Sequence, residues 1–273
     1  MSGVIGGTYG MKSGVIAENN MYMKPESWQM RATNIPNYDR PGESQYDVDG
    51  YTYSLMHAHP QNNFDHFSDV SCFGGNDCTG HGTAKHDTGL GIMGFSGIGF
   101  DSNDDYIKIM QHKMFQGSSS SVTVDFWMGS SDAGASAIFD ARNNDSNALL
   151  IDHTNSTSIS VTWHSGTIVF TTPTNNDYKW HHVAFVRDTE DSSQTGARSY
   201  LFFDGTSCPR ASGATVDHSL TGRMFSGQGH EFRWGENYPS TAGYGGFLAE
   251  MRVSIGIARW TSNFKVNKTT CKH

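Results

Sequence analysis

The sequence has little charge and no long apolar run. Charged residues make up 17% of the 273 residues, and the net charge is −8 at pH 7. No stretch concentrates Lys and Arg, so a nucleic acid is excluded as the main partner, because phosphate binding needs a basic field. No run of about 18 apolar residues is present, which excludes a membrane-spanning helix.

The sequence also lacks a secretion signal and contains few cysteines. The opening residues MSGVIGGTYG contain neither a basic nor an apolar segment, so we expect no signal peptide and synthesis in a cytoplasm. The four cysteines are then expected to be reduced thiols. Sequence spacing leaves open whether Cys208 pairs with Cys271, or Cys72 with Cys78.

Catalytic signatures are missing as well. The chain contains no G-x-S-x-G and no H-E-x-x-H motif. A retaining glycosidase needs two carboxylates about 5 Å apart, and on one strand these would alternate. Glu250 has Leu248 and Arg252 at the alternating positions instead. We therefore expect that the protein is not an enzyme.

What is present is a β-rich composition. Glycine accounts for 31 residues, and aromatic residues make up 12%, which suits pleated surfaces and tight turns. From about residue 89, short apolar runs recur between turn-forming segments. SVTVDFWM at 121–128 alternates with a period of two. This pattern predicts an all-β, two-sheet antiparallel jelly-roll sandwich over residues 89–273.

Residues 1–88 differ in composition from the rest of the chain. They contain few alternating apolar runs and are dominated by polar residues, Met, Tyr, Gly and Pro. Such a segment cannot build much core by itself. We expect an extended, irregular N-terminal arm that serves attachment and oligomerisation.

Five segments, in order, resemble the laminin-G-like, concanavalin-A-like jelly-roll family. They are GFDSNDDYIKI (99–109), SVTVDFWM (121–128), KWHHVAFVRD (179–188), SYLFFDGT (199–206) and GFLAEMRVSIGIARWTSNFKV (246–266). The resemblance spans about residues 90–267. It implies a jelly roll that binds glycans or proteins through loops at one rim, in some members with calcium.

The IARWTSNF portion is similar to the variant found in bacteriophage structural proteins. This resemblance implies a non-enzymatic virion protein, such as a fibre, spike or decoration-type adhesin. Residues 1–88 would bind other capsid or tail proteins, the chain would form a homo-oligomer such as a trimer, and the jelly roll would face a host-surface glycan. The alternatives are a purely architectural capsid or tail cement protein and a secreted cellular lectin-like adhesion module.

Loop residues provide the candidate glycan contacts. Rings stack on the C–H faces of sugars, and Asn and Asp bond to hydroxyls. The candidates are Asn143, Asn144, Asp145, Trp163, His164, Asn237, Tyr238 and Tyr244. The competing interpretation is that these aromatic residues pack in the core or rim.

Two groups are candidate metal ligands, although no cofactor is required. Asp101, Asp104 and Asp105 could supply oxygen ligands to calcium. Cys72, Cys78 and His81 could hold zinc, but they lack a paired C-x-x-C. Acidic residues that cap turns, and a polar turn with incidental histidines, are the competing interpretations.

Three further residues are expected to be structural. Asp204 and Gly205 should form a hairpin turn. Trp260 should hold the C-terminal segment against the sandwich.

Overall fold

The computed structural model describes residues 48–59, 61–71, 78–92, 95–102, 104–111, 120–130, 134–143, 145, 147–164, 166–189, 198–211 and 224–266. These residues form two antiparallel β-sheets and no helix. The predicted all-β sandwich is therefore confirmed. Among these residues, no helix is long and apolar enough to cross a membrane.

One sheet has eight strands. They are β1 (Thr52–Met56), β3 (Lys85–Ile92), β4 (Phe95–Asp101), β6 (Val122–Ser130), β11 (His181–Asp188), β12 (Arg198–Phe203), β13 (Thr206–Ser207) and β15 (Gly245–Ile255). The order is β13-β12-β11-β6-β15-β4-β3, and β1 pairs with the far part of β15. The central strands β6 and β15 come from distant parts of the chain.

The other sheet has seven strands. They are β2 (Cys78–His81), β5 (Tyr106–Met110), β7 (Ser136–Asp140), β8 (Leu150–Asn155), β9 (Ser158–Trp163), β10 (Gly166–Thr171) and β14 (Glu231–Trp234). Their order is β10-β9-β8-β7-β14-β5-β2.

Alternating residues of both sheets meet in one hydrophobic core. In β6, Val122, Val124, Phe126 and Met128 belong to this core, as their period of two predicts. Thr123, Asp125 and Trp127 lie on the opposite face of the same strand, and they are buried as well. Something must therefore cover the outer face of the eight-stranded sheet.

The cover is the C-terminal strap, residues 256–266. Trp260 and Phe264 stack with their ring centroids 4.2 Å apart and pack on Phe202 and Ala184 of the sheet. The nitrogen of Phe264 donates to the carbonyl of Gly205 at 2.9 Å. Gly205 has φ +76, and a Cβ there would clash with the carbonyl oxygen of Phe264, so only glycine fits this turn.

A buried ion pair lies beneath the strap. Arg252 donates from Nε and Nη2 to the two carboxylate oxygens of Asp125, each at 2.9 Å. The Arg252 guanidinium lies 5.8 Å from the Trp260 ring centroid, and His182 Nε2 lies 3.5 Å from the same carboxylate. Burial alone would raise the pKa of Asp125, but the charge of Arg252 and the hydrogen bonds hold that pKa below its usual value.

The predicted boundary at residue 88 is too far along the chain. β1 and β2 precede it, and β3 begins at Lys85. Thr52 pairs with Ser254, and His81 pairs with Tyr106. Short strands of this kind join a sheet through pairing partners far away in sequence, so their own composition did not reveal them. Residues 1–47 of the predicted arm lie outside the described residues.

Replacing Arg252 with Met should destabilise the fold strongly. The change leaves the Asp125 carboxylate buried without its cation, which costs about 3–5 kcal/mol. Urea unfolding measures the loss. The control is Lys179→Met, which breaks an ion pair whose lysine is 73% exposed and should cost less than about 1 kcal/mol. Similar small losses for both variants would contradict the role assigned to the buried pair.

Candidate functional site

The strand registers sort the loops into two ends of the sandwich. Gly245 pairs with Asp101, and His181 pairs with Met128. Loops 101–105, 172–180 and 235–244 therefore lie together, at what we call the Asp101 end. β7 begins at this end with Ser136 and finishes at Asp140, so Asn143 lies at the opposite end, called the Asn143 end.

Four side chains form a continuous stack at the Asp101 end, on the outer face of the seven-stranded sheet. The rings of His81 and Tyr106 are stacked, with centroids 4.2 Å apart and an interplanar angle of 11°. The Arg233 guanidinium lies 4.2 Å from the Tyr106 centroid and 4.7 Å from that of Tyr238. We call His81, Tyr106, Arg233 and Tyr238 the tyrosine–arginine stack. Each contact is within the range of cation–π or aromatic stacking.

Strand pairing explains why these side chains meet. Ile107 and Trp234 pair across β5 and β14 and point into the core. Their neighbours Tyr106 and Arg233 therefore point outward. β2 adds His81 beside Tyr106. The three strands thus present the stack on one face.

Hydrogen bonds fix the position of Arg233. Its Nε donates to Glu231 Oε1 at 2.7 Å, and its Nη1 donates to Ser240 Oγ at 3.0 Å. Glu236 Oε2 lies 3.7 Å from Nη1. Burial raises the pKa of Glu236, and the carboxylates of Asp104 and Asp105 contribute in the same direction. The guanidinium is thus held rigidly between two rings.

The loop that carries Tyr238 is organised by Asn237. Asn237 Oδ1 accepts from the backbone nitrogens of Thr241 and Ala242, each at 2.8 Å, and Nδ2 donates to Thr241 Oγ1 at 2.9 Å. The backbone nitrogen of Tyr238 donates to Asp140 Oδ2 at 2.8 Å. Asn237 therefore shapes the loop, and its amide is already engaged.

The predicted calcium ligands do come together. Carboxylate oxygens of Asp101, Asp104 and Asp105 all lie within 4.8 Å of one another. Asp105 is buried and accepts hydrogen bonds from Asp101 N at 2.8 Å and from Thr83 Oγ1 at 3.1 Å. It also accepts from the Thr83 backbone nitrogen. The capping role is thus visible in the geometry, and calcium binding stays a prediction.

The predicted zinc group is not assembled in the described residues. Cys78 and His81 are three residues apart on β2, so they point to opposite faces. Cys78 packs against the core, whereas His81 stacks on Tyr106. Burial and the charges of Lys108 and Arg233 lower the pKa of His81. The interpretation of Cys78 and His81 as joint ligands is wrong, and Cys72 lies outside the described residues.

Two of the predicted sugar-contacting rings belong to the core. Trp163 is fully buried and packs on Phe185 with ring centroids 5.6 Å apart. Tyr244 is fully buried, and its hydroxyl donates to the Gly129 carbonyl at 2.9 Å. Neither ring can reach a ligand, so both predictions are wrong. The competing interpretation, core packing, is correct for these two.

The remaining candidates lie at the Asn143 end. Asp145 Oδ1 accepts from the backbone nitrogen of Asn147 at 3.0 Å. His164 is exposed with φ +48, and its nitrogen donates to the Asn147 carbonyl at 2.9 Å. The carbonyl of Asn143 faces His230 Nδ1 at 3.3 Å. Asn144 lies outside the described residues. These residues form adjoining turns.

Sequence reasoning missed Tyr106 and Arg233, because the stack combines three separate chain segments. It also missed Tyr178, which is 72% exposed and has φ +61. A bulky residue with this backbone is an outlier.

The thiol of Cys208 is buried, and burial raises its pKa to about 11. This environment makes the thiol unreactive. Cys271 lies outside the described residues, so the predicted alternatives for this cysteine stay open.

A second charged group lies next to the stack on the same sheet face. Asp140 accepts from Arg142 Nη2 at 2.7 Å and Nε at 2.9 Å. Asp152 lies on the neighbouring strand β8, on the face opposite the core residue Ile151. Burial raises the pKa of Asp152 to about 7; Arg142 opposes the rise, and Asp140 adds to it.

Two antiparallel sheets around one core, with loops gathered at both ends, define a jelly-roll sandwich. The sequence profile of Laminin_G_3, described as the concanavalin A-like lectin/glucanases superfamily, matches residues 101–255, more than half of the chain. The chain belongs to this superfamily. The resemblance stated from its motifs is thereby confirmed. No curated protein sequence matches the chain.

Solved structures share the fold at low sequence identity. A structure of botulinum neurotoxin type C, whose uptake by cells depends on interaction with two ganglioside molecules, has a TM-score of 0.53 and 12% identity, covering 76% of this chain and 48% of that chain. A tryptophan-to-alanine mutant of HCR/D has a TM-score of 0.52 and 10% identity, covering 76% and 49%.

A third similar structure is domain 4 of AbnA, a GH43 extracellular arabinanase from Geobacillus stearothermophilus, in complex with arabinotriose. Its TM-score is 0.48 and its identity 19%, covering 75% of this chain and 95% of that chain. The chain spans about half the length of the first two structures. Identities this low show the fold alone.

The Asp152 carboxyl should make stability fall as the pH rises. Its folded pKa of about 7 exceeds the usual 3.8, so between these values the folded chain holds a proton that the unfolded chain has lost. We expect Asp152→Asn to gain about 2 kcal/mol relative to the native chain between pH 4 and pH 8, discounted for partial exposure.

Urea unfolding across this pH range gives the difference in the free energy of unfolding between the variant and the native chain at each pH. Asp65→Asn removes an exposed carboxylate and should leave the curve flat. A flat curve for Asp152→Asn as well would contradict the burial of a protonated carboxyl.

Proposed function

We propose that the chain is a non-enzymatic carbohydrate-binding jelly roll of a bacteriophage virion protein, and that the tyrosine–arginine stack is its glycan-binding surface. The observation that carries this proposal is the rigid array of His81, Tyr106, Arg233 and Tyr238 on an outer sheet face. Partly exposed rings held in fixed positions suit the C–H faces of sugars at a low entropic cost.

Polar groups around the stack would orient a bound glycan through hydrogen bonds. Ser240 and Thr241 are exposed and lie on the same loop as Tyr238. Glu231 and Glu236 flank the guanidinium, and Asp104 is close enough to raise the pKa of Glu236. These carboxylates favour a neutral glycan over an acidic one, since like charges repel. The ganglioside-dependent neurotoxin structure, which shares the fold, supports a binding role.

The partners of three acidic residues support a non-enzymatic role. Asp125 is bound by Arg252, and Asp140 by Arg142. Glu250 is fully buried and lies 2.7 Å from His57 Nδ1. Carboxylates engaged in this way are poor candidates for the acid and nucleophile of a glycosidase.

The virion role rests on the similarity of IARWTSNF, at 257–264 within the strap, to bacteriophage structural proteins. In this proposal, the upstream arm attaches to capsid or tail proteins and forms a homo-oligomer such as a trimer. Several jelly rolls on one particle would turn weak glycan contacts into strong attachment.

Immunogold labelling of purified phage particles tests the location. Labelling at outward-facing sites supports an adhesin. Labelling only after particle disruption would indicate an architectural cement protein, and absence from particles would overturn the virion role.

Tyr238→Ala should weaken glycan binding about tenfold or more, because it removes one ring of the stack. Tyr238→Phe keeps the ring and should stay within about twofold of the native affinity. The full chain is first screened on a glycan array, and the best glycan is then titrated by calorimetry with calcium and with a chelator.

Met110→Ala is the control, because Met110 is exposed on the same strand as Tyr106 but at its other end. Binding that survives Tyr238→Ala unchanged, or no binding to any glycan, would contradict the proposal.

A further inference from the structure

The imidazole of His181 lies between two carboxylates at the Asp101 end. Its Nδ1 is 2.8 Å from Asp204 Oδ2, and its Nε2 is 3.1 Å from Asp177 Oδ1. Asp177 belongs to loop 172–180, His181 is the first residue of β11, and Asp204 lies in the turn that follows β12. One side chain therefore joins three segments of the chain.

Both hydrogen bonds can form only when the ring is protonated. An ionised carboxylate only accepts hydrogen bonds, and a neutral imidazole has a single N–H. Hydrogen bonds from Lys179 and His181 lower the pKa of Asp177 to about 2, so this carboxyl is ionised. Burial lowers the pKa of His181, but the hydrogen bonds to Asp204 and Asp177 and their charges hold it above its usual value. The ring is an imidazolium with one donor for each carboxylate.

The other groups packed around this ring leave its charge to the two carboxylates. Phe203 of β12 packs against the ring of His181 with centroids 4.5 Å apart, and Met128 of β6 is its cross-strand partner. Neither of these side chains titrates. The exposed Lys179 acts on the ring through Asp177. The His181 side chain is 13% exposed, so the ring can exchange protons with solvent.

The loop on one side of this contact has a strained backbone. Tyr178, next to Asp177, has φ +61, a region that bulky residues rarely adopt. Its nitrogen donates to the Ser130 carbonyl at 3.2 Å, and Asp177 Oδ1 accepts from the Lys179 nitrogen at 3.1 Å. A strained conformation persists only where surrounding contacts hold it. The bond between Asp177 and His181 is one of the contacts that hold this loop.

The turn on the other side is fixed by its own backbone bonds. Asp204 Oδ1 accepts from the His182 nitrogen at 3.0 Å, and the Asp204 nitrogen donates to the His182 carbonyl at 2.8 Å. The carbonyl of Gly205 accepts from the nitrogen of Phe264 in the strap. These bonds do not depend on the charge of His181. The turn is therefore the fixed side of the contact, and the loop is the side that can move.

We propose that Asp177, His181 and Asp204 form a pH-sensitive latch, in which the protonated ring holds loop 172–180 against the turn and loss of its proton releases the loop. A neutral ring keeps one N–H, and the shorter bond to Asp204 favours its retention there. The other nitrogen then faces Asp177 as a second acceptor, and the two acceptors repel each other.

The direction of the pH effect follows from the raised pKa of His181. The latch is fully closed below the usual histidine pKa of 6.5, and it opens as the pH rises through the higher pKa of the folded chain. The latch shares no residue with the tyrosine–arginine stack, so the proposal does not depend on glycan binding.

Hydrogen exchange of the full chain, followed by nuclear magnetic resonance from about pH 6 to about pH 9, tests the latch. The reporter is the Tyr178 amide, with its rate corrected for the intrinsic pH dependence of exchange. We expect its protection to fall about tenfold as the His181 ring loses its proton, because a hydrogen bond to a charged group is lost. His181→Gln should show the lower protection at every pH. Asp177→Asn should lower the pKa of His181 by about one unit.

Lys179→Met is the matched control, because it removes the exposed ammonium from Asp177 and leaves both carboxylates on the ring. The fall in protection with pH should persist in this variant. Unchanged Tyr178 protection while His181 titrates would overturn the latch, and so would a fall that His181→Gln retains. An equal loss at the amide of Ala184, in the middle of β11, would indicate global unfolding and would also overturn it.

Discussion

The ion pair between Asp125 and Arg252 is the interaction on which one whole side of the sandwich depends. Both charges lie on the outer face of the eight-stranded sheet, yet both are buried. Their desolvation is tolerable only with bidentate geometry and a cover that excludes water. The strap provides this cover through Trp260 and Phe264. The carbonyl of Gly205 accepts a hydrogen bond from the nitrogen of Phe264 near the end of the strap. The aromatic residues of IARWTSNF are therefore explained by the buried ion pair that they cover.

Arginine between carboxylates and rings recurs on the opposite sheet with a different outcome. Arg252 is held by Asp125 beneath Trp260. Arg233 is held by Glu231 between Tyr106 and Tyr238, and these rings stay partly exposed. One arrangement closes a sheet face, and the other presents a rigid aromatic surface. This contrast is why we propose a glycan-binding surface on the seven-stranded sheet.

Much of the fold could be predicted from the sequence, because the alternation in 121–128 and the Asp204–Gly205 turn are local signals. Trp260 was also assigned correctly as a clamp on the C-terminal segment. β1 and β2 could not be found in this way, since their pairing partners Ser254 and Tyr106 are distant in sequence.

The candidate site was predicted less well than the fold. Tyr238 was among the candidates taken from the sequence, and Tyr106 and Arg233 join it only through strand register. Trp163 and Tyr244 resembled loop residues, and only the tertiary structure shows them to be buried.

We propose that sugars bind at the tyrosine–arginine stack. The most direct measurement is a crystal structure of the full chain with the tightest-binding glycan from an array screen. We expect a sugar ring packed against Tyr238 or His81, with Arg233 still between its two tyrosines. A glycan bound only at the loops of the Asn143 end, with the stack facing solvent, would contradict it.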